Sequence, residues 1–160
     1  MTPTKWTARL LACAAGLSLM GAHADKLPMP RQALPKYAQE CAACHMAYPP
    51  GLLPAASWRR IMGDLERHFG SDASLDEASV REIGGWLQAN AASHRRALAD
   101  GPDGPVRDRV TRSAWFVRKH REIAAEVWRR PSVKSPANCL ACHGGAERGD
   151  FEDDRVRIPK

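Results

Sequence analysis

The stretch Cys41-Ala42-Ala43-Cys44-His45 recurs as Cys139-Leu140-Ala141-Cys142-His143, and these two runs decide how the chain must fold. Thiols at this spacing can each add to one of the two vinyl groups of a haem, and the histidine that follows is then held against the iron as an axial ligand. A zinc knuckle or a redox-active dithiol also uses Cys-x-x-Cys, but both readings fit worse. One zinc site built from both pairs would have to join residues as distant in sequence as Cys44 and Cys139, and neither pair lies in a βαβ pattern of the thioredoxin kind. A histidine directly after each pair decides for two covalently attached haem c groups. Cys41, Cys44, Cys139 and Cys142 are then the attachment points, and His45 and His143 are iron ligands.

Residues 1–24 read as a secretory signal. Lys5 and Arg9 form a basic start, Leu10 to Met20 an apolar stretch, and Ala22-His23-Ala24 an A-x-A cleavage site before Asp25. The apolar stretch is shorter than the roughly 20 residues that span a bilayer, so a retained anchor is disfavoured and no transmembrane segment is expected in the mature chain. Cys13 lies too early in that stretch for lipoprotein processing. After cleavage the remaining cysteines are the four of the two motifs, which leaves none for a structural disulfide. The formal charge of +6 loses the contributions of Lys5 and Arg9, and haem propionates would offset most of what remains. The basic character therefore does not indicate a nucleic-acid partner, and export makes one less fitting still.

Residues 25–160 suffice for one compact domain. The arm from Asp25 to Pro35 is proline-rich and extended, and a short helix from about Tyr37 to Cys44 is expected to carry the first thiols. The run Tyr48-Pro49-Pro50-Gly51-Leu52-Leu53-Pro54 must be a loop with apolar side chains, because proline lacks the backbone donor and restricts the residue before it. Ser57 is predicted to cap a helix running to Phe69, stopped by Gly70, with Trp58, Ile61, Met62 and Leu65 on one face and His68 on that same face. A second helix is predicted over Asp76 to Asn90 with Val80, Ile83, Trp86 and Leu87 inward. The segment 99–105, Ala-Asp-Gly-Pro-Asp-Gly-Pro, is read as a linker between a first half (25–98) and a second half (106–160) that hold one motif each. A third long helix is predicted from Thr111 or Ser113 to Trp128, closed by Pro131, with Phe116, Val117, His120, Ile123, Ala124 and Val127 on one side. The tail from Glu147 onward is polar and charged. No strand pattern and no convincing internal repeat appears, so the fold class is all-α, with long loops packed around the two haems.

The second axial position of each iron separates a carrier from a catalyst or ligand binder. His68 and His120 both sit on apolar helical faces, where an unpartnered histidine is costly to bury, and two open iron positions give each a use. His94 stands in a polar context beside Arg95-Arg96 and is read as solvent-facing. Met46 cannot easily reach the far side of the haem held by His45, Met62 is read as core, and Met29 is the best methionine competitor. Proximity in sequence pairs His68 with His45 and His120 with His143. Bis-histidine irons would be low in potential compared with His/Met haems, closed to oxygen, peroxide and carbon monoxide, and suited to electron transfer.

The same residues resemble the small exported dihaem cytochromes c, the DHC family. The likeness runs through Cys41-Ala-Ala-Cys44-His45 with Tyr48-Pro-Pro-Gly-Leu-Leu-Pro54, Ser57-Trp58 and His68-Phe69-Gly70. It continues in Trp115-Phe116, His120-Arg121-Glu122-Ile123, Pro136-Ala-Asn-Cys139, Gly145-Ala-Glu and Arg157-Ile-Pro159. It implies a mostly helical dihaem domain with bis-histidine irons, whose distal histidines fall at His68 and His120. It also implies electron transfer in the bacterial periplasm, with a high-spin oxygen-binding c-type cytochrome or a membrane cytochrome b as redox partner. The stretch Arg107 to Lys134, with nine Lys or Arg against three Asp or Glu, is a docking candidate, though its charges can equally pair with propionates or water. The rival readings are a dihaem peroxidase or reductase and a gas sensor with one exchangeable ligand. Neither brings further acid-base groups in the sequence.

Overall fold

Proline decides where the first helix of the computed structural model begins. The structure describes residues 26–92 and 108–160; the predicted signal, His94, the linker 99–105 and Arg107 lie outside them. Pro35 opens α1 (Pro35–Cys41), where its missing donor costs nothing. This helix stops at Cys41, earlier than predicted, and the chain turns through Ala42 to Cys44. The proline-rich run that follows is a loop as expected, tightened into a 3-10 turn at Pro50–Leu52. It is not a surface loop, since Pro49, Pro50, Leu52 and Leu53 are all buried.

Helix α2 (Ala55–Met62) starts earlier than predicted and ends much earlier. Ser57 lies inside it, buried, and does not cap it. The stop is Gly63, whose N–H is shared between the carbonyls of Arg59 (3.1 Å) and Arg60 (3.2 Å), a tightening of the last turn that closes the helix. The chain then makes a separate 3-10 turn, Leu65–Arg67, and Phe69 and Gly70 adopt positive φ of 53° and 105°. Apolar spacing from Trp58 to Phe69 reported a shared buried side, and two short elements produce that side as well as one long helix would.

Helix α3 (Glu77–Ala89) follows the prediction closely. Asp76 is its cap, accepting from the Ser79 N–H at 3.0 Å, and Ile83 and Leu87 are fully buried. It packs on α2 where Gly84 faces the Met62 side chain. Tyr37, Leu53, Trp58, Met62, Ile83 and Leu87 form the first core, and the Trp58 indole donates to the Pro50 carbonyl at 2.8 Å, tying the proline loop to α2.

The long third helix is divided. Ser113 caps α4 (Ala114–Lys119) by accepting from the Phe116 N–H at 3.1 Å, and α5 (Ala125–Trp128) is a separate turn. Between them His120 ends α4 with its ring as well as its N–H directed at the Phe116 carbonyl, so the side chain competes for the helical acceptor. The N-terminal arm reaches the opposite end of the chain. The Leu27 N–H donates to the Gly149 carbonyl at 2.8 Å, and Leu27, Met46, Leu52, Ala146 and Phe151 form a second core. Gly149 is fixed here twice over, by a φ of 70° and because a Cβ would sit 2.9 Å from the Leu27 carbonyl oxygen. Among the described residues there is no sheet, only isolated bridges, and the fold is mostly helical. No helix among them is long and apolar enough to cross a membrane.

Candidate functional site

Each Cys-x-x-Cys-His run opens onto its own cavity, and each cavity is also lined by one of His68 and His120. The first, about 540 Å³, is lined by Cys41, Cys44, His45 and His68, with Tyr37, Tyr48, Trp58 and Met62 from the first core. The second is narrower and is lined by Cys139, Cys142, His143 and His120. The ring centres of His45 and His68 are 6.1 Å apart, and those of His120 and His143 are also 6.1 Å apart. A metal–imidazole bond is about 2 Å long, so two imidazoles on opposite sides of one ion have centres about 6 Å apart. The residues present therefore fit a haem iron between each pair, and the pairing is the one that sequence proximity points to.

Local structure prepares the ring nitrogens. In His45 and His120, Nδ1 lies 2.7 Å from the Met46 carbonyl and 2.8 Å from the Phe116 carbonyl. A carbonyl only accepts, so Nδ1 carries the hydrogen and Nε2 is left as a lone-pair donor, the arrangement that orients metal-binding histidines. Burial lowers the pKa of His68, and the nearby His45 and Arg109 lower it further. Burial likewise holds His120 and His143 below the ordinary value. Neutral imidazoles are the form that can ligate. Burial pushes the Cys41 and Cys139 thiols of the unmodified chain up to about 11. No disulfide joins the four cysteines, and among the described residues no cluster of three or more His, Cys, Asp or Glu is arranged to hold a bare metal ion.

The two sites touch through Tyr48. Its ring is 4.9 Å from that of His45, and its hydroxyl donates at 2.7 Å to the Ala137 carbonyl, two residues before Cys139. Burial and the proximity of Cys139 raise its pKa to about 12. Val110 lines both cavities.

Several wall residues escaped the sequence reading. Phe151, Val156 and Ile158 complete the second cavity from a tail that looks polar, and the Arg157 N–H donates to the Cys142 carbonyl at 3.0 Å. Arg109 lies over Phe69, its guanidinium carbon 4.4 Å from the ring centre, at the rim of the first cavity. In the tail the apolar residues are isolated among charges and show no period, and the family likeness touched only Ile158, within Arg157-Ile-Pro159. Of the methionines weighed as ligands, Met46 and Met62 are buried core residues, while Met29 is exposed and lines neither cavity.

Comparison with known proteins agrees with this geometry. The family model described as dihaem cytochrome c matches residues 37–151. Among solved structures, the diheme cytochrome type c from Shewanella baltica OS155 is similar with 40% identity and a TM-score of 0.66, covering 78% of this chain and 91% of that one. The diheme cytochrome c from Rhodobacter sphaeroides is similar with 47% identity and a TM-score of 0.65, covering 74% of this chain and 97% of that one. No curated protein sequence matches the chain. With one thiol pair and one histidine pair at each of two cavities, and with this likeness over most of its length, the chain belongs to the dihaem cytochrome c family and carries two covalently attached c-type haems.

Proposed function

We propose that this protein is a periplasmic electron carrier, not an enzyme, in which His45 and His68 ligate one haem iron and His120 and His143 the other. The observation that carries the reading is the equal 6.1 Å spacing of the two histidine pairs, each beside its own thiol pair. When bound, each haem supplies a one-electron couple. The chain's part is to hold both axial positions, since a filled coordination shell leaves no place for oxygen, peroxide or carbon monoxide and little ligand rearrangement on electron exchange. The Met46 and Phe116 carbonyls keep His45 and His120 in the ligating tautomer. Cys41, Cys44, Cys139 and Cys142 prevent loss of the cofactor.

Export by a signal in residues 1–24, cleaved before Asp25, delivers the chain to the compartment where such a carrier works. Its partners are redox proteins, with a high-spin oxygen-binding c-type cytochrome or a membrane cytochrome b as the classes to try first. Exposed Arg112, Arg118, Arg121 and Arg129 support docking to an acidic face. Electron exchange with such a partner should slow as salt rises.

Visible spectra of the purified protein, oxidised and then reduced with and without carbon monoxide, test the carrier reading. Two low-spin haems that ignore carbon monoxide are expected. A haem that binds it would mean an open iron and return the enzyme or gas-sensor reading.

A further inference from the structure

The two histidine pairs have equal spacing but different attitudes. The planes of His45 and His68 lie within 26° of each other, whereas those of His120 and His143 are 78° apart. The second pair is held by aromatic neighbours on both histidines. The His120 ring stacks on Phe116 at 4.0 Å and 21°, is tethered through Nδ1 to that residue's own carbonyl, and meets Trp128 at 5.7 Å. His143 meets Phe151 edge-on at 5.4 Å, and Phe151 is buried and braced by Trp115. In the first pair, His45 is likewise tethered through Nδ1 to a carbonyl, that of Met46, and meets Tyr48 at 4.9 Å, but among the described residues His68 has the exposed Phe69 as its one aromatic neighbour besides His45.

Ring attitude acts on an iron between the two imidazoles. The π orbitals of parallel rings overlap the same iron d orbital and split it from its partner, which gives a rhombic low-spin EPR signal. Perpendicular rings act on the two d orbitals alike and leave them almost degenerate, which gives one broad feature at large g. We propose that Phe116 is a positioning residue that fixes the His120 plane across that of His143, so that the second haem is electronically distinct from the first. The proposal rests on the bis-histidine reading given above and adds a claim about ring orientation that ligation alone does not make.

Low-temperature EPR of the oxidised holoprotein tests it. The wild type should give one rhombic and one large-g signal in equal amounts. Two rhombic signals would overturn the orientation while leaving bis-histidine ligation intact, and a high-spin signal would overturn the ligation and with it the orientation. Phe116→Leu should move the large-g feature toward the rhombic form without touching the first signal, and Phe116→Tyr, which keeps the ring, should retain it. A Leu variant that keeps the large-g signal would remove Phe116 from the role. If Phe116→Leu does not accumulate, Phe116→Met, which removes the ring with less loss of volume, is read in the same way.

Discussion

The first cavity is lined by Glu40, Asp72, Asp108 and Arg109 as well as by its apolar core, whereas among the described residues no Asp, Glu, Lys or Arg lines the second, which is closed by Leu52, Trp115, Phe116, Trp128 and Phe151. The same donor set, two thiols and two histidines, is thus held in two different media. A centre bordered by charge is tuned by charge, because a partly polar rim lets a nearby cation favour the reduced iron. A centre in an apolar wall is tuned by packing, which fixes ligand attitude and excludes water.

The largest expected effect tests whether the centres are separate at all. His68→Ala and His120→Ala should each convert one haem, and only one, to a carbon-monoxide-binding form, measured by difference spectroscopy. If either change freed both irons, the two-site comparison would collapse. Next, Phe151→Ala removes a buried ring that contacts both His143 and Trp115, and should cost about 3–5 kcal/mol in denaturant unfolding. A cost below about 1 kcal/mol would show that the second cavity is not held by packing.

On the charged side, Arg60 makes two hydrogen bonds to Asp108, at 2.5 and 2.9 Å, next to Arg109. Burial alone would raise the Asp108 pKa, but the Arg60 and Ser57 hydrogen bonds and the Arg60 charge outweigh it, and the net shift is downward. The folded state therefore favours the ionised carboxylate. Its contribution is complete above the usual carboxylate range and disappears as pH falls through the depressed folded value. Arg60→Gln should cost about 1 kcal/mol at neutral pH, and the gap between variant and wild type should close below about pH 4. The smallest effect belongs to Arg109→Gln, which loses about 0.5–1 kcal/mol of cation–π contact with Phe69 and should lower the potential of the first haem alone in a spectroelectrochemical titration. Equal shifts at both haems would blur the distinction between the two media.

The thiol pairs and the histidines that follow them are tied to a fixed local spacing, and the apolar settings of His68 and His120 pointed to the interior, where each lines one of the two cavities. The starts of α3 and α4 were legible for a similar reason, at Asp76 and at Ser113, one of two starts offered for the latter, although their capping hydrogen bonds were not foreseen and the cap expected at Ser57 is absent. Backbone continuity was not legible. A stripe of apolar residues reports which side faces inward, and it survives a break, so the interruptions at Gly63 and His120 left no mark on it. Gly63-Asp64 was a stop signal that the stripe concealed, while the break at His120 comes from a ring bonding the Phe116 carbonyl, a tertiary choice no local rule expresses. The tail failed for another reason. Phe151, Val156 and Ile158 are too widely spaced among charges to show a period, although they wall the second cavity.

The bond from Leu27 to Gly149 also governs time. The chain is synthesised from its N-terminus, so the arm at Leu27 waits for its acceptor until nearly the whole protein has emerged. Contacts this remote in sequence form late, after their long loop can close. Until they do, the second core of Leu27, Met46, Leu52, Ala146 and Phe151 remains incomplete, so the two ends of the chain complete it together.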